Sequence, residues 1–399
     1  MGYTGFTLVM PFLPLFIRQL GVTDVGEIAV WTGLSLGVTP GLTALLSPLW
    51  GRLADRFGRK IMVERSLASF VVLMAAMAYV TQAWHVLALR AVQGLFAGYG
   101  SLSLAMAAES APKDRMSQSI GLVQTAQRLG PAVGPVIGGV LAGLVGLRRA
   151  FLFTALFYAI GLVLVFLMYD ERATHDTPGE ADVDADRGPV TFRHVLAFRN
   201  FLLLMAVIFA FQFVDRSYGP VLPLYIEGVG VPHDRVPLIA GVLFSIMACT
   251  GALGHHFCGQ LLRHYPMRVV IAAGAAAAAL GSAVLGSTGN LWAMAAASAV
   301  LGVGIGAAMT AAYTAAGAVI PAGAHGTGFG VLTSASLVGM AISPVAAGFV
   351  GGASIRVVFA VDVLFMTAIA IAVARTMTDS QGGRTGEGKR KNEKGRSKK

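Results

Sequence analysis

Apolar residues along this chain gather in blocks about 20 residues long, separated by short connections rich in arginine, glycine and aspartate. A helix of that length crosses a hydrocarbon layer about 30 Å thick. The blocks predict helical spans over 1–20, 27–49, 61–82, 84–108, 118–146 and 149–169, then 199–226, 236–262, 268–288, 291–319, 326–350 and 355–376. Between the two sets runs a polar stretch with Asp170, Glu171, Asp176, Glu180, Asp182, Asp184 and Asp186. The pattern therefore divides into a six-helix half over 1–169, an acidic linker over 170–198, a second six-helix half over 199–376 and a polar tail over 377–399.

Composition supports a membrane setting. Only 13% of the 399 residues are charged and 55% are apolar, with a mean hydropathy of +0.70, whereas a soluble domain carries about 25% charge. The net charge of +10 is no mark of nucleic-acid binding, because eight lysines and arginines against two glutamates crowd into Arg384–Lys399. The loops after spans two, four, six and eight hold thirteen arginines and lysines, including Arg52, Arg56, Arg59, Lys60 and Lys113, and the opposite loops only five. That bias places linker and C-terminus in the cytoplasm. The basic tail reads as disordered, touching anionic head groups. Cys249 and Cys258 share one apolar segment and form no metal-ligand pattern.

The halves repeat each other. Pro11–Val22 (PFLPLFIRQLGV) recurs as Pro220–Val231 (PVLPLYIEGVGV), and Gly130–Gly139 (GPAVGPVIGG) as Gly339–Gly348 (GMAISPVAAG), both displaced by 209 residues. Gly94 and Gly98 match Gly302 and Gly306, displaced by 208. Two parallel repeats with a site at their interface are the expected architecture. Span seven is apolar from about Phe201, whose counterpart would precede residue 1. The first helix thus reads as about two turns short, and an upstream start codon is the favoured cause over a trimmed chain.

Four segments carry candidate chemistry. GRLADRFGRK (Gly51–Lys60) reads as a tight loop, with Gly51 and Gly58 allowing close backbone approach and Arg52, Arg56, Arg59 and Lys60 anchoring one membrane face. Asp55 can cap a helix or pair with an arginine, a contact made in one conformation and lost in another; the plainer role is a basic topological anchor. LRAVQGLFAG (Leu89–Gly98) buries Arg90, and a guanidinium in a membrane costs at least about 2.5 kcal/mol, so it needs a partner, a wet cavity or a snorkelling path to the interface. In span five Gly130, Gly134 and Gly138 form a smooth face, Gly139 follows, and Pro135 bends the helix. In span seven Asp215 lies beside Arg216; low dielectric favours the neutral form of a carboxyl, as a proton carrier requires. A static ion pair of Asp215 with Arg216 or Arg90 is the competing role. Phe211, Gln212 and Tyr218 nearby, with Tyr99, Gln124, Gln127, Arg128 and Tyr313 on other spans, are candidates to line a cavity for an aromatic, amphipathic ligand, each of them also a common packing residue.

These strings resemble the major facilitator superfamily. Gly51–Lys60 resembles its loop signature between helices two and three, Leu89–Gly98 its fourth-helix motif, and Gly130–Gly139 the fifth-helix signature of its drug:proton antiporters. PFLPLFIRQLGV is similar to the end of the first helix in multidrug exporters of that branch. The resemblance implies an all-α polytopic membrane protein with the major facilitator fold, twelve transmembrane helices in two six-helix halves, rocking around a central cavity. It implies gating by Gly51, Asp55, Arg56, Gly58 and Arg59, proton coupling through Arg90, and export of small organic or drug-like molecules by proton antiport from a monomer in the inner membrane. The chain departs from the pattern in its short first span, which lacks an acidic residue; a coupling carboxylate then falls to Asp215.

The runner-up is a proton-coupled importer of a sugar or other metabolite, and a further alternative is a membrane sensor or scaffold without flux. No nucleophile–base pair or Walker string argues for an enzyme, and no cofactor is expected. Gly302–Gly306 (GVGIG) follows no strand and reads as helix packing. His255 and His256 point about 100° apart on a helix, which disfavours a metal site. Asp362, inside span twelve, has no role that the sequence assigns.

Overall fold

A computed structural model describes residues 2–98, 106, 116–169, 200–320 and 325–377, and every regular element among them is a helix. In chain order they are α1 (Gly2–Leu8), α2 (Leu13–Gln19), α3 (Val25–Phe57), α4 (Arg59–Met77), α5 (Ala83–Phe96), α6 (Met116–Val145), α7 (Leu147–Met168), α8 (Phe201–Gly228), α9 (Val236–His264), α10 (Met267–Ser287), α11 (Leu291–Val319), α12 (His325–Ala353) and α13 (Ile355–Thr376). Eight of them are long and apolar enough to cross a membrane. Their outward faces stay apolar, with Leu45, Leu144, Met168 and Leu364 each more than two-thirds exposed. Lipid is the solvent that such faces require.

Local chemistry sets the ends. The Asp24 carboxylate accepts the backbone N–H of Glu27 at 2.8 Å and starts α3. Asn290 accepts from Trp292 and Ala293 to start α11. Both supply acceptors to otherwise orphaned N–H groups. Gly21 and Gly230, equivalent in the two repeats, both adopt positive φ (98° and 95°) as the chain turns out of α2 and α8.

Three expectations need correction. The first span is not one helix: Val9–Phe12 break it, with Met10 and Phe12 bonding back only three residues, to Thr7 and Val9. Pro11 and Pro14 remove the donors that would continue the ladder. The string Gly51–Lys60 is not a loop. Residues 51–57 continue α3, and the reversal falls on Gly58 alone, at φ 93°, where a side chain would be strained. The third span ends at Met77 rather than 82, and α5 ends at Phe96; most of the remainder of span four lies outside the described residues. The acidic linker and the basic tail lie outside them too.

The two halves meet along two seams, α3 against α12 and α6 against α9. Glycine makes both possible. A methyl group on Gly33 would sit 2.2 Å from the Pro344 carbonyl oxygen, and one on Gly348 2.6 Å from that of Ala29. On the other seam, Gly139 would meet Pro237 O and Gly241 would meet Pro135 O, each at 2.3 Å. Gly139 and Gly348 are repeat equivalents, so the seams are related by the internal symmetry. Such small-residue stripes let helix backbones touch in lipid, where no hydrophobic effect drives association.

Candidate functional site

A cavity of about 630 Å³ opens where α8, α9 and α11 face Pro131 of α6. From α8 it receives Gln212, Asp215 and Arg216; from α9, Met247 and His255; from α11, Met309, Thr310 and Tyr313. The wall is mostly apolar, with polar groups contributed by each of the three helices. Asp215 Oδ2 lies 3.2 Å from Arg216 Nε, with 29% and 20% of the two side chains exposed. Across the cavity His255 Nδ1 and Thr310 Oγ1 are 2.7 Å apart. The α9–α11 wall can be this thin because Gly302 and Gly306 sit against the Met247 and Gly251 carbonyls, where a methyl would come within 2.2 Å or less.

One end of the bundle is latched. Arg18, at the end of α2, donates to Glu227, at the end of α8, and His233 Nδ1 lies 3.1 Å from the same Glu227 oxygen. Arg18 and Glu227 are separated by 209 residues, the repeat offset itself. Counterparts can touch only beside the axis relating the halves, so this pair marks where the axis leaves the bundle. The opposite end carries a denser set of cations. There Arg56 lies over the Phe57 ring, Lys60 donates to the carbonyls of Phe166 and Tyr169, and Arg65 stacks 3.5 Å above Trp50 while donating to the Phe96 carbonyl. These contacts lie within the first half; Arg59 at the start of α4 is also held.

The structure gathers some expected residues and separates others. Gln212, Asp215 and Tyr313 share the cavity wall. Tyr218 and Phe211 do not reach it: both are wholly buried, and the Tyr218 hydroxyl bonds Ser282 on α10 at 2.7 Å. Asp215 pairs with Arg216, not with Arg90. Arg90 is fully buried in the first half, donates to Gln93 at 3.1 Å and lies 5.9 Å from the Phe6 ring. It neither snorkels nor lines the cavity, and among the described residues its Nε and Nη2 have no hydrogen-bond partner. In α6, Gly134 and Gly138 seat α1, a methyl on Gly138 falling 1.8 Å from Leu8 O; the Gly130 carbonyl accepts from Thr7 at 3.2 Å; Pro135 and Gly139 face α9. Tyr99 lies outside the described residues, and the side chains of Gly51, Asp55, Gln124, Gln127 and Arg128 do as well. The sequence reading missed the His255–Thr310 pair and the two methionines. The available signal was spacing: Thr310, Tyr313 and Thr314 recur at i, i+3 and i+4 on one face of α11.

The chain matches the model of the Major Facilitator Superfamily over residues 1–293 and 268–398. It is 29% identical over 259 residues to a multi-drug resistance efflux pump PmrA homolog of Lactococcus lactis, covering 65% of this chain and 62% of that one. It is 32% identical over 270 residues to multidrug resistance protein MdtG of Erwinia billingiae, covering 67% and 64%. The matches thus span under two-thirds of those relatives' length. A bacterial homolog of the human lysosomal transporter Spinster, solved inward-facing and occupied, superposes with a TM-score of 0.73 at 17% identity, covering 94% of each chain. The family match covers nearly the whole sequence, the solved fold agrees, and the chain belongs to the Major Facilitator Superfamily, whose members are membrane transporters and not enzymes.

Proposed function

We propose that this chain exports small amphipathic organic molecules across the bacterial inner membrane by proton antiport. The observation that carries the reading is the cavity beside the interface of the halves, which holds the one close carboxylate–guanidinium pair among its described lining residues, Asp215–Arg216. Two methionines and a tyrosine offer an adaptable apolar surface, as promiscuous sites use. The names of the curated relatives, multidrug efflux pumps, support export, and the fifth-helix signature Gly130–Gly139 supports antiport. Protonating Asp215 frees the Arg216 charge in the cavity. A substrate and a proton then oppose each other through that charge, which supplies the differential binding that coupling needs.

Conformation fits the same reading. The seams and the Arg18–Glu227 latch close one end; with the arginine-rich end placed in the cytoplasm, the structure is inward-facing. The latch must part for the outward-facing state. With 28% and 24% of its side chains exposed, the pair is worth on the order of 1 kcal/mol, so Glu227→Gln should shift the conformational equilibrium toward outward-open by about fivefold. Spin labels at Gln19→Cys and Gly228→Cys, exposed and repeat-equivalent, would report it as growth of the longer distance. An unchanged distribution would remove the latch role.

The decisive test is flux. Full-length protein in proteoliposomes under an imposed pH gradient should drive a panel of lipophilic dyes, ethidium among them, against the proton flow, and an uncoupler should stop it. Nutrient uptake with the gradient would favour the importer. Silence with both panels would favour the sensor.

A further inference from the structure

Asp362, on α13, is 1% exposed, and its surroundings leave its charge unanswered. Its Oδ2 lies 2.6 Å from the Ser217 hydroxyl of α8, and among the described residues its Oδ1 has no hydrogen-bond partner of its own. Among the described residues no lysine, arginine or histidine pairs with it. Helices α8, α10 and α12 pack against α13. From α8 the ionisable groups are Tyr218 and Tyr225 on the inner side, Asp215 and Arg216 turned to the cavity and paired together, and Glu227 at the helix end, paired with Arg18. From α10 comes Ser282, the ionisable Arg268 being at the helix start; α12 offers no ionisable group between 330 and 353.

The hydroxyl protons can be counted. Either hydroxyl can donate in the 2.7 Å contact between Tyr218 and Ser282, Ser282 also stands 2.8 Å from the Ala278 carbonyl, and the Tyr218 hydroxyl reaches the Asp362 carboxyl as well. The single Tyr218 proton serves either Ser282 or Asp362, never both. Ser217 stands 2.9 Å from the Val214 carbonyl as well as 2.6 Å from Asp362, and it owns one proton. If Asp362 were ionised it would have two shared hydroxyls at most and no counter-ion among the described residues, in lipid-enclosed protein where an unpaired charge is least tolerated. If Asp362 is protonated, its Oδ2–H donates to Ser217 Oγ, whose O–H donates to Val214 O, and the chain closes.

We propose that Asp362 is a second proton-binding site of the transporter, loaded in this conformation and connected across α8 by Ser217 to the segment that bears Asp215. Its proton leaves to water when α8 and α13 part and Oδ1 becomes wet. The proton's role in coupling rests on the antiport reading above; its presence does not.

Infrared spectroscopy of the full-length protein in liposomes tests both statements without a substrate. The wild type at neutral pH should show the carbonyl stretch of a protonated buried carboxyl. Asp215→Asn should keep that band and Asp362→Asn should lose it. Ser217→Ala should keep it but move it to higher frequency, since the carboxyl loses its acceptor; this variant covers the case in which Asp362→Asn fails to fold. Identical spectra for wild type and Asp362→Asn would overturn the site. For coupling, Arg18→Gln, which weakens the latch, should reduce the band at unchanged pH, because linkage is reciprocal; constant amplitude would overturn the coupling role. Failure of the antiport reading would appear elsewhere, as wild-type flux indifferent to a pH gradient while the Asp362 band persists.

Discussion

Asp215→Asn should reduce pH-gradient-driven dye export to background while leaving the protein folded in the membrane. The carboxamide keeps the shape of the carboxylate and can neither bind nor release a proton. The substitution removes the charge partner of Arg216, but the carboxamide oxygen remains beside its buried Nε and the rest of the guanidinium borders the cavity, the side chain being 20% exposed. The stability change should therefore stay within about 1 kcal/mol, as for exposed pairs. Two controls separate chemistry from damage. Asp215→Glu, which retains a titratable group, should recover part of the gradient-driven flux. Substrate counterflow at equal pH, which needs binding and rocking but no proton, should survive in Asp215→Asn. If gradient-driven export persists in Asp215→Asn, the carrier is elsewhere and the static ion pair is the right reading of Asp215–Arg216.

The fold was legible because lipid imposes a simple rule: unbroken apolar runs become helices. Spans ten and twelve, 291–319 and 355–376, match α11 and α13 residue for residue. Where the rule failed, an equal sequence signal met a different setting. Pro11 and Pro14 share their spacing with Pro220 and Pro223, yet α1 and α2 are separate helices while α8 runs through. Periodicity alone cannot tell these apart, because the outcome depends on what packs beside the freed backbone.

The site was legible in part for a related reason. Gln212 and Tyr218 flank Asp215 by three residues on either side, so helical geometry places both within about 60° of it. The Ser282 hydroxyl on α10 draws Tyr218 inward, and Gln212 is left on the cavity wall. No local pattern encodes that choice. The latch is the opposite case. The 209-residue offset already pairs Arg18 with Glu227, of opposite charge; what the sequence lacks is the information that these equivalents sit beside the axis. Asp362 could be seen as a buried acid, but its hydroxyl partner Ser217 lies 145 residues away in the chain.

Gly138→Val should cost more than any other glycine change in α6, and the contrast with Gly143 isolates the reason. A Cβ at 138 would fall 1.8 Å from the Leu8 carbonyl oxygen and 2.7 Å from its carbon. Both atoms are backbone, so no rotamer change relieves the overlap; α1 has to move away from α6. That displacement opens the buried contacts of Gly134 with Thr4 and Thr7 and the Thr7–Gly130 hydrogen bond. Overpacking of a core commonly costs about 1–3 kcal/mol, and a backbone obstacle puts this case at or beyond the upper end. Among the described residues nothing lies within 4 Å of a Cβ on Gly143, one residue more than a helical turn further along α6. There, Gly143→Ala should be neutral or stabilising by up to about 1 kcal/mol, the helix propensity of alanine over glycine. Thermal unfolding in detergent should therefore show a clear loss for Gly138→Val, a smaller loss for Gly138→Ala and none for Gly143→Ala, with dye export falling in the same order. Equal behaviour of Gly138→Ala and Gly143→Ala would mean that α1 yields freely, and that the close α1–α6 approach does not support the transporter.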